Sequence, residues 1–282
     1  MKIVISIKVL IPLIFILGLQ DCKKTPSNRE DLVSIDLESN IKNFHKIELS
    51  QLNAQITYLP LKKDDNLEIG YISNIDVTAD MILISNSELC LLFDRSGKII
   101  KKIGEKGRGP NEYSAIVNSC FGFNNNLYVQ NLGYILEYKT DGSLVNSFDI
   151  KKDKDPLFYM SSWTLLNDSI FFGQVPLPGS GNGIIKAILF DKYGRTIRGY
   201  KNYIFLDRPE SGFSSSEDSQ ASFYRYNGNL YFKELMNDTL FFLTRDYNLS
   251  PRISFKIGKY SKPKEYRQQG DSEKSNPFNY VY

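Results

Sequence analysis

Histidine, cysteine and tryptophan are scarce in this chain of 282 residues. It contains one histidine, three cysteines and one tryptophan. A Ser-His-Asp triad needs a histidine beside its nucleophile. His45 precedes the first repeat and has no recognisable partner, so we interpret it as a surface or strand-edge residue. The same scarcity argues against zinc or iron sites built from histidine.

The chain also lacks a charge excess and a helical hydrophobic period. Its 35 Lys and Arg residues face 32 Asp and Glu residues, which gives a formal net charge of +3. Such a near-neutral mixture gives no support for nucleic-acid binding. No stretch beyond the N-terminal segment keeps a helical period over three turns, so the sequence predicts an all-β fold.

A degenerate segment recurs four times and predicts the architecture. Each copy reads as an apolar strand, a tight turn and a second strand, with the turn at Gly97, Gly142, Gly194 and, more loosely, Tyr247. The turns are separated by 45, 52 and 53 residues. A second hairpin precedes each copy, so one period holds four strands. This pattern is typical of the four-stranded antiparallel blades of a β-propeller.

Composition and turn chemistry agree with that architecture. Gly97, Gly142 and Gly194 fit a hairpin position that needs a positive φ. The strands are rich in Ile, Leu, Phe and Tyr, which predicts that both faces of each sheet are buried by neighbouring blades. We therefore interpret the 18 Tyr and 18 Phe residues as core rather than as ligand-binding groups.

The N-terminal residues 1–21 predict a lipoprotein-type signal peptide. Lys2 and Lys8 stand at the start of an apolar run that is too short to span a membrane. Leucine at position 19 and Cys22 resemble a bacterial lipobox, with Cys22 as the lipidated first residue. Gln20 and Asp21 depart from the small residues usual there, so an ordinary signal peptide with an incidental cysteine is the alternative.

The remaining chain divides into a tether and a propeller domain. Residues 22–44 are polar, show no strand pattern and predict a tether. Residues 45–282 number 238, whereas six blades would need roughly 270–300. We therefore expect four to five blades, from a chain that is either truncated or divergent. The segment near residues 45–50 is the candidate N-terminal strand for ring closure, and we expect no C-terminal partner strand for it.

Two cysteines fall inside the domain. Cys90 and Cys120 lie in apolar surroundings on predicted strands of adjacent blades. They could pair in an oxidising compartment. We favour the alternative that they are buried thiols acting as small hydrophobic residues.

A local motif links the first repeat to the next blade. It contains Gly107, Gly109, Pro110, Glu112 and Tyr113. Its glycines and proline predict a compact connection. Glu112 could accept backbone N–H bonds and Tyr113 could pack beneath the turn. We interpret the motif as a structural staple, with a ligand site as the alternative.

Residues 93–100 and 103–113 together resemble the six-bladed β-propeller lipoproteins of Bacteroidota, which are related in form to NHL-repeat propellers. Residues 47–70 and 237–240 also resemble segments of that family, and the resemblance covers about residues 45–258. It implies an exported protein of the cell envelope, lipid-anchored at the outer membrane. Family members are mostly uncharacterised, so it implies no activity.

Two functional hypotheses follow. The first is a non-catalytic binding propeller, attached to the membrane by its lipid, with an unknown protein or glycan partner and no metal or cofactor. The alternative is an exported metal-assisted hydrolase or lyase with an acidic site in the channel, where calcium would bind. Three or more converging Asp, Glu or Asn side chains would favour the enzyme. Aromatic and neutral polar groups would favour binding.

Replacing Cys22 by alanine tests the anchor. We expect the Cys22→Ala protein to lose its acyl group and to leave the detergent phase, because the thiol is the only attachment point that the lipobox provides. Mass spectrometry of the N-terminal peptide and detergent partitioning measure this. A variant that partitions into detergent like the wild type would contradict the anchor.

Overall fold

The computed structural model of this chain describes residues 32–62, 69–109, 112–150, 160, 162–175, 183–205, 221–235 and 237–261. The chain divides into two compact units, Met1–Leu32 and Val33–Tyr282. Only Leu32 of the first unit is described. The predicted signal peptide, Cys22 and Pro110 lie outside the described residues.

Strands dominate the second unit. The chain begins with β1 (Val33–Asp36). Blade 1 contains β2 (Asn74–Val77), β3 (Met81–Ser85), β4 (Cys90–Asp94) and β5 (Ile99–Lys102). A short parallel pair follows, β6 (Glu105–Lys106) and β7 (Glu112–Tyr113). Blade 2 contains β8 (Ile116–Phe121), β9 (Leu127–Asn131), β10 (Tyr134–Tyr138) and β11 (Leu144–Asp149). Blade 3 contains β12 (Ser162–Asn167), β13 (Ile170–Gln174), β14 (Ile185–Asp191) and β15 (Thr196–Lys201). Blade 4 contains β16 (Ala221–Tyr226), β17 (Asn229–Glu234), β18 (Thr239–Leu243) and β19 (Leu249–Lys256).

The four blades form a β-propeller. Within each blade the strands are antiparallel, and neighbours in sequence are neighbours in the sheet. The first strand of each blade contacts the first strand of the next, from β2 through β8 and β12 to β16. The prediction of an all-β propeller built from four-stranded antiparallel blades is therefore confirmed, with four blades in the described part of the chain.

Helical structure is minor in the described residues. It comprises α1 (Leu37–Asn40) and two 3-10 turns, Leu49–Leu52 and Gly258–Tyr260. Within the described ranges, no helix has the length and apolar character needed to cross a membrane.

Two expectations for the N-terminal part need correction. The predicted tether contains a strand, because β1 pairs in parallel with β19 of blade 4, with Val33 opposite Ile253. The segment near residues 45–50, predicted as the closing strand, instead leads into the 3-10 turn at Leu49–Leu52. Alternating apolar residues at positions 33 and 35 favour the strand, and the free edge of β19 supplies its backbone hydrogen bonds.

The repeated turns are equivalent, as the periodicity predicts. The φ values of Gly97, Gly142 and Gly194 are +79°, +86° and +76°. Each of the three donates its N–H to the carbonyl three residues earlier. In the fourth copy Tyr247 takes this place, with a φ of +57° and a bond of 2.9 Å to the carbonyl of Thr244. The left-handed position thus recurs in every blade.

Aspartate side chains stabilise three of these turns. Asp94, Asp141 and Asp191 each accept a hydrogen bond from the backbone N–H two residues later. For Asp94 and Asp141, hydrogen bonds from the turn lower the pKa of the carboxyl. Side chains that accept local N–H bonds are a common reason for Asp at turns.

The core consists of inter-blade clusters of large apolar side chains. Phe171 packs among Tyr128, Phe148, Trp163 and Phe190, with ring centroids 5.1–5.5 Å apart. Phe172, the next residue on β13, points to the other side of the sheet, where it packs against Phe223 and Phe232 of blade 4. Both faces of the sheet are therefore buried, as the strand composition predicts.

The two domain cysteines are free thiols. Cys90 is fully buried in the cluster between blades 1 and 2, and Cys120 is partly buried next to blade 3. Burial raises the pKa of the Cys90 thiol to about 12. This agrees with the interpretation of buried hydrophobic thiols rather than a disulfide.

Gly97 offers a matched test of turn geometry. A Cβ at Gly97 would lie 2.1 Å from the carbonyl oxygen of Pro60, whereas a Cβ at Gly228, with a similar φ of +75°, would meet nothing within 4 Å. We expect Gly228→Ala to cost about 1 kcal/mol from φ strain alone. Gly97→Ala should cost about 2–3 kcal/mol, because the Pro60 backbone must also move.

Urea unfolding of both variants measures this difference. Equal losses of unfolding free energy would show that the segment at Pro60 does not constrain the turn.

Candidate functional site

The first strands of the four blades end at a common cavity of about 370 Å³. We call this cavity the channel mouth. Thirteen residues line it: Asp76, Val77, Thr78, Cys120, Phe121, Gly122, Phe123, Thr164, Leu165, Phe223, Tyr224, Arg225 and Leu230. All four blades contribute, because successive inner strands lie side by side and end at the same face. Clefts of this size are typical of ligand sites.

Asp76 is the acidic residue among those that line the channel mouth. Its Oδ2 accepts a hydrogen bond of 2.8 Å from the backbone N–H of Phe121, and its Oδ1 accepts one of 2.9 Å from Val77 N–H. The carboxylate therefore joins blades 1 and 2. Both of its oxygens already have backbone donors, which makes Asp76 a positioning group rather than an exposed base.

Arg225 extends from β16 across the channel mouth. Its Nη2 donates to the backbone carbonyl of Leu165 in blade 3, and its guanidinium lies 5.0 Å from the ring centroid of Phe123 in blade 2. Desolvation lowers the pKa of Arg225, while Cys120 and Asp76 oppose this. The group remains a cation at neutral pH. It presents a fixed donor at the centre of the cavity.

Aromatic and small polar side chains form most of the remaining surface. Phe123 is 56% exposed at the rim. Tyr224 is stacked on Tyr231, with ring centroids 4.8 Å apart and planes 5° from parallel. Thr164 adds a hydroxyl group, whereas the Thr78 hydroxyl donates to the backbone carbonyl of Met81 in the turn after β2. This combination suits an apolar or aromatic ligand group that also carries a hydrogen-bond acceptor.

The Cys120 thiol in the cavity wall is a poor nucleophile. Burial raises its pKa well above the ordinary value, and the negative charge of Asp76 raises it further. A reactive cysteine needs the opposite environment, in which the thiolate is stabilised.

The motif predicted as a staple lies between blades 1 and 2, away from the residues that line the channel mouth. Glu112 Oε2 accepts a hydrogen bond of 2.8 Å from Gly109 N–H, and Gly107 N–H donates to the carbonyl of Tyr113. Tyr113 is fully buried in the cluster between the blades. The structure thus brings Gly107, Gly109, Glu112 and Tyr113 together, and the structural role of the motif remains a prediction.

Two glycines of the motif lie against the Glu112 carboxylate. Neither Gly107 nor Gly109 has a positive φ. A Cβ on Gly107 would lie 1.8 Å from Glu112 Oε2, and one on Gly109 would lie 3.1 Å from the carboxyl carbon. These positions therefore need glycine to leave room for the carboxylate, not to adopt left-handed backbone.

Sequence analysis did not identify Asp76, Phe123 or Arg225. None of them belongs to a motif, and their common property is positional. Each lies at or just beyond the end of the first strand of a blade, directly before the Asn- or Asp-rich turn of the second predicted hairpin. That position was the available signal, since inner strands end together at one face of a propeller.

Comparison with family models shows the family of this chain. The model of a family described as a domain of unknown function (DUF4934) matches residues 32–282. The chain belongs to the DUF4934 family. Among proteins of curated function, none matches this DUF4934 chain.

Solved structures share the fold of this DUF4934 chain. An exported protein of Bacteroides fragilis matches with a TM-score of 0.61 at 18% identity, over 80% of this chain and 60% of the other. A DUF4221 member from Bacteroides vulgatus gives 0.45 at 16% identity, over 72% and 62%. Virginiamycin B lyase from Staphylococcus aureus gives 0.43 at 15%, over 67% and 57%. The DUF4934 chain thus spans about three fifths of these proteins. The first match supports the fold alone, because its identity is low.

Alanine substitution of Glu112 tests the staple. We expect Glu112→Ala to lower the free energy of unfolding by about 1–2 kcal/mol, because the Gly109 N–H loses a charged acceptor in a half-buried turn. Glu105, on the partner strand β6, is exposed, and its ion pair among the described residues is with the half-buried Lys102. Glu105→Ala should therefore change stability by less than about 0.5 kcal/mol.

Thermal and urea unfolding compare the two variants. Similar losses of unfolding free energy in Glu112→Ala and Glu105→Ala would argue against a structural role for the motif.

Proposed function

We propose that this DUF4934 protein is a binding module of the cell envelope that holds its ligand at the channel mouth. The lining of that cavity carries the proposal. The turn after β8 presents the exposed ring of Phe123 beside the guanidinium of Arg225 on β16, at the point where four blades meet. An aromatic surface next to a fixed donor supplies both contact area and orientation for a ligand.

The alternative hydrolase or lyase needs several carboxylates or amides that converge on one point. In the described lining, Asp76 is the sole carboxylate, and two backbone N–H groups occupy it. Across the described residues, no group of three His, Cys, Asp or Glu side chains is arranged to hold a metal. An enzyme site would need three or more converging Asp, Glu or Asn side chains. The residues that line the channel mouth therefore favour binding.

The cellular address is part of the same proposal. The lipobox at Cys22 supports a lipid anchor in the outer membrane, and the likeness to an exported Bacteroides protein agrees with export. We also propose that the chain is a member of the six-bladed, NHL-like lipoproteins. We propose a protein or a glycan of the envelope as the partner.

Photo-crosslinking in cells tests the binding site. The crosslinker p-benzoyl-phenylalanine replaces Phe123 in the full-length chain. We expect one discrete adduct after illumination, and its mass distinguishes a protein partner from a glycan. Arg225→Ala should lower the adduct yield about tenfold, because loss of one charged hydrogen bond weakens binding by roughly that factor.

Tyr193 provides the control position. It is 59% exposed on the outer turn of blade 3, away from the channel mouth. The same adduct from a crosslinker at Tyr193, or no adduct at Phe123, would reject the proposal. The melting temperature of Arg225→Ala separates lost binding from lost folding, since Arg225 also bonds to blade 3.

A further inference from the structure

A second cavity, of about 620 Å³, lies in the groove between blades 3 and 4. We call it the seam cleft. The end of β15 and the residues after it form one wall, and β18 with the turn before β19 forms the other. The seam cleft shares no residue with the channel mouth. Its volume is sufficient for a disaccharide-sized ligand.

The charge of the seam cleft is positive. Lys186, Arg198 and Lys201 line it, and none of its lining residues is acidic. Lys186 is only 8% exposed and forms an ion pair of 2.9 Å with Glu234, which neutralises that cation. Arg198 and Lys201 lack such a carboxylate partner among the described ion pairs. The cleft therefore favours an anionic ligand.

Arg198 is held in a fixed orientation. Its Nη1 donates to the backbone carbonyls of Asp246 and Tyr247, at 3.1 and 2.7 Å, and to Asn248 Oδ1 at 2.8 Å. All three acceptors lie on the turn of blade 4. The described residues supply no acceptor to Nε and Nη2, which carry three of the five guanidinium donors. Two parallel N–H groups are the arrangement that binds a carboxylate or a sulfate.

An aromatic platform lies beside these cations. Tyr203 is 76% exposed, and Lys201 Nζ lies 5.5 Å from its ring centroid. The bend that carries Tyr203 is fixed by the buried Asn202. The Nδ2 group of Asn202 donates to the carbonyls of Gly183 and Ile204, and its Oδ1 accepts from Ile204 N–H. A fixed, exposed tyrosine offers a flat apolar surface at low entropic cost.

The floor of the cleft completes the site. Tyr200 is buried, and its hydroxyl donates to the carbonyl of Tyr247 across the seam at 2.8 Å. Phe241 lies beneath Lys186 Nζ, 3.9 Å from ring centroid to nitrogen. The amides of Asn237 and Asn248 also line the cleft. Amides, a flat ring and two cations are together the groups that would recognise a sugar ring bearing an acidic substituent.

We propose that the seam cleft binds an acidic saccharide, with the sugar ring on Tyr203 and its carboxylate or sulfate on Arg198 and Lys201. A simple anion would use the cations but not the tyrosine. A neutral sugar would use the tyrosine but not the cations. The combination selects a ligand that carries both features.

Calorimetric titration of the purified protein tests this proposal with digalacturonate, a sulfated digalactose and neutral digalactose. We expect one or both acidic disaccharides to bind, with an affinity that falls as salt rises. The arm that binds tells carboxylate from sulfate. The double variant Lys201→Ala/Tyr203→Ala should weaken binding at least about tenfold.

Blade 3 supplies a matched control. Lys192 Nζ also lies 5.5 Å from the ring centroid of its exposed neighbour, Tyr193, outside the seam cleft. Lys192→Ala/Tyr193→Ala should leave the affinity unchanged. The proposal is overturned if neither acidic disaccharide binds at millimolar concentration, or if digalactose or inorganic sulfate binds equally well. Equal weakening by the two double variants, or tighter binding of a peptide carboxylate, would overturn it too.

Discussion

Adjacent residues on a central blade strand point to opposite faces of the sheet, and the need to cover both faces governs the fold. Phe171 contacts blade 2 side chains, whereas Phe172 packs at 5.4–5.7 Å from the rings of Tyr200, Phe223 and Phe232 on the side of blade 4. Neither face of β13 can reach water without exposing a phenylalanine. A blade in this protein is therefore stable only when apolar side chains pack against both of its faces.

Polar contacts at a spacing of one repeat then set the register between blades. Asn74 donates to Asn118 of the next blade, and Asn118 donates to the carbonyl of Trp163 one blade further, over separations of 44 and 45 residues. Lys186 and Glu234 repeat the pattern over 48 residues between blades 3 and 4. Such partly buried polar contacts penalise any sliding of one blade against another, because each shift would leave an unpaired group. The ends of the inner strands are held together for that reason.

Features that depend on one residue and its neighbours could be predicted from the sequence, whereas contacts between residues far apart in the chain could not. Gly97, Gly142 and Gly194 could be predicted as equivalent turns, because a positive φ is a property of one residue and its neighbours. The pairing of β1 with β19 could not, since it joins segments more than two hundred residues apart. Gly107 was predicted to belong to a compact connection, but the steric reason for a glycine there, the adjacent Glu112 carboxylate, is known only from the structure. Arg225 carried only the signal of its position at a strand end, because its partners Leu165 and Phe123 lie in other blades.

The same constraint explains where this protein can carry function. Substitutions on blade faces disturb the packing against a neighbouring blade, so variation is least costly at the strand ends and along the outer edges of the seams. The channel mouth is of the first kind, and its charged groups, Asp76 and Arg225, are already bonded to backbone across blades. The seam cleft lies along the outer edge of the seam between blades 3 and 4. There Arg198 bonds to a turn through Nη1 alone, and Lys201 and Tyr203 contribute little to the core. A cation with remaining donors beside an exposed ring suits a ligand, and this description fits Arg198 with Tyr203 at the seam cleft and Arg225 with Phe123 at the channel mouth.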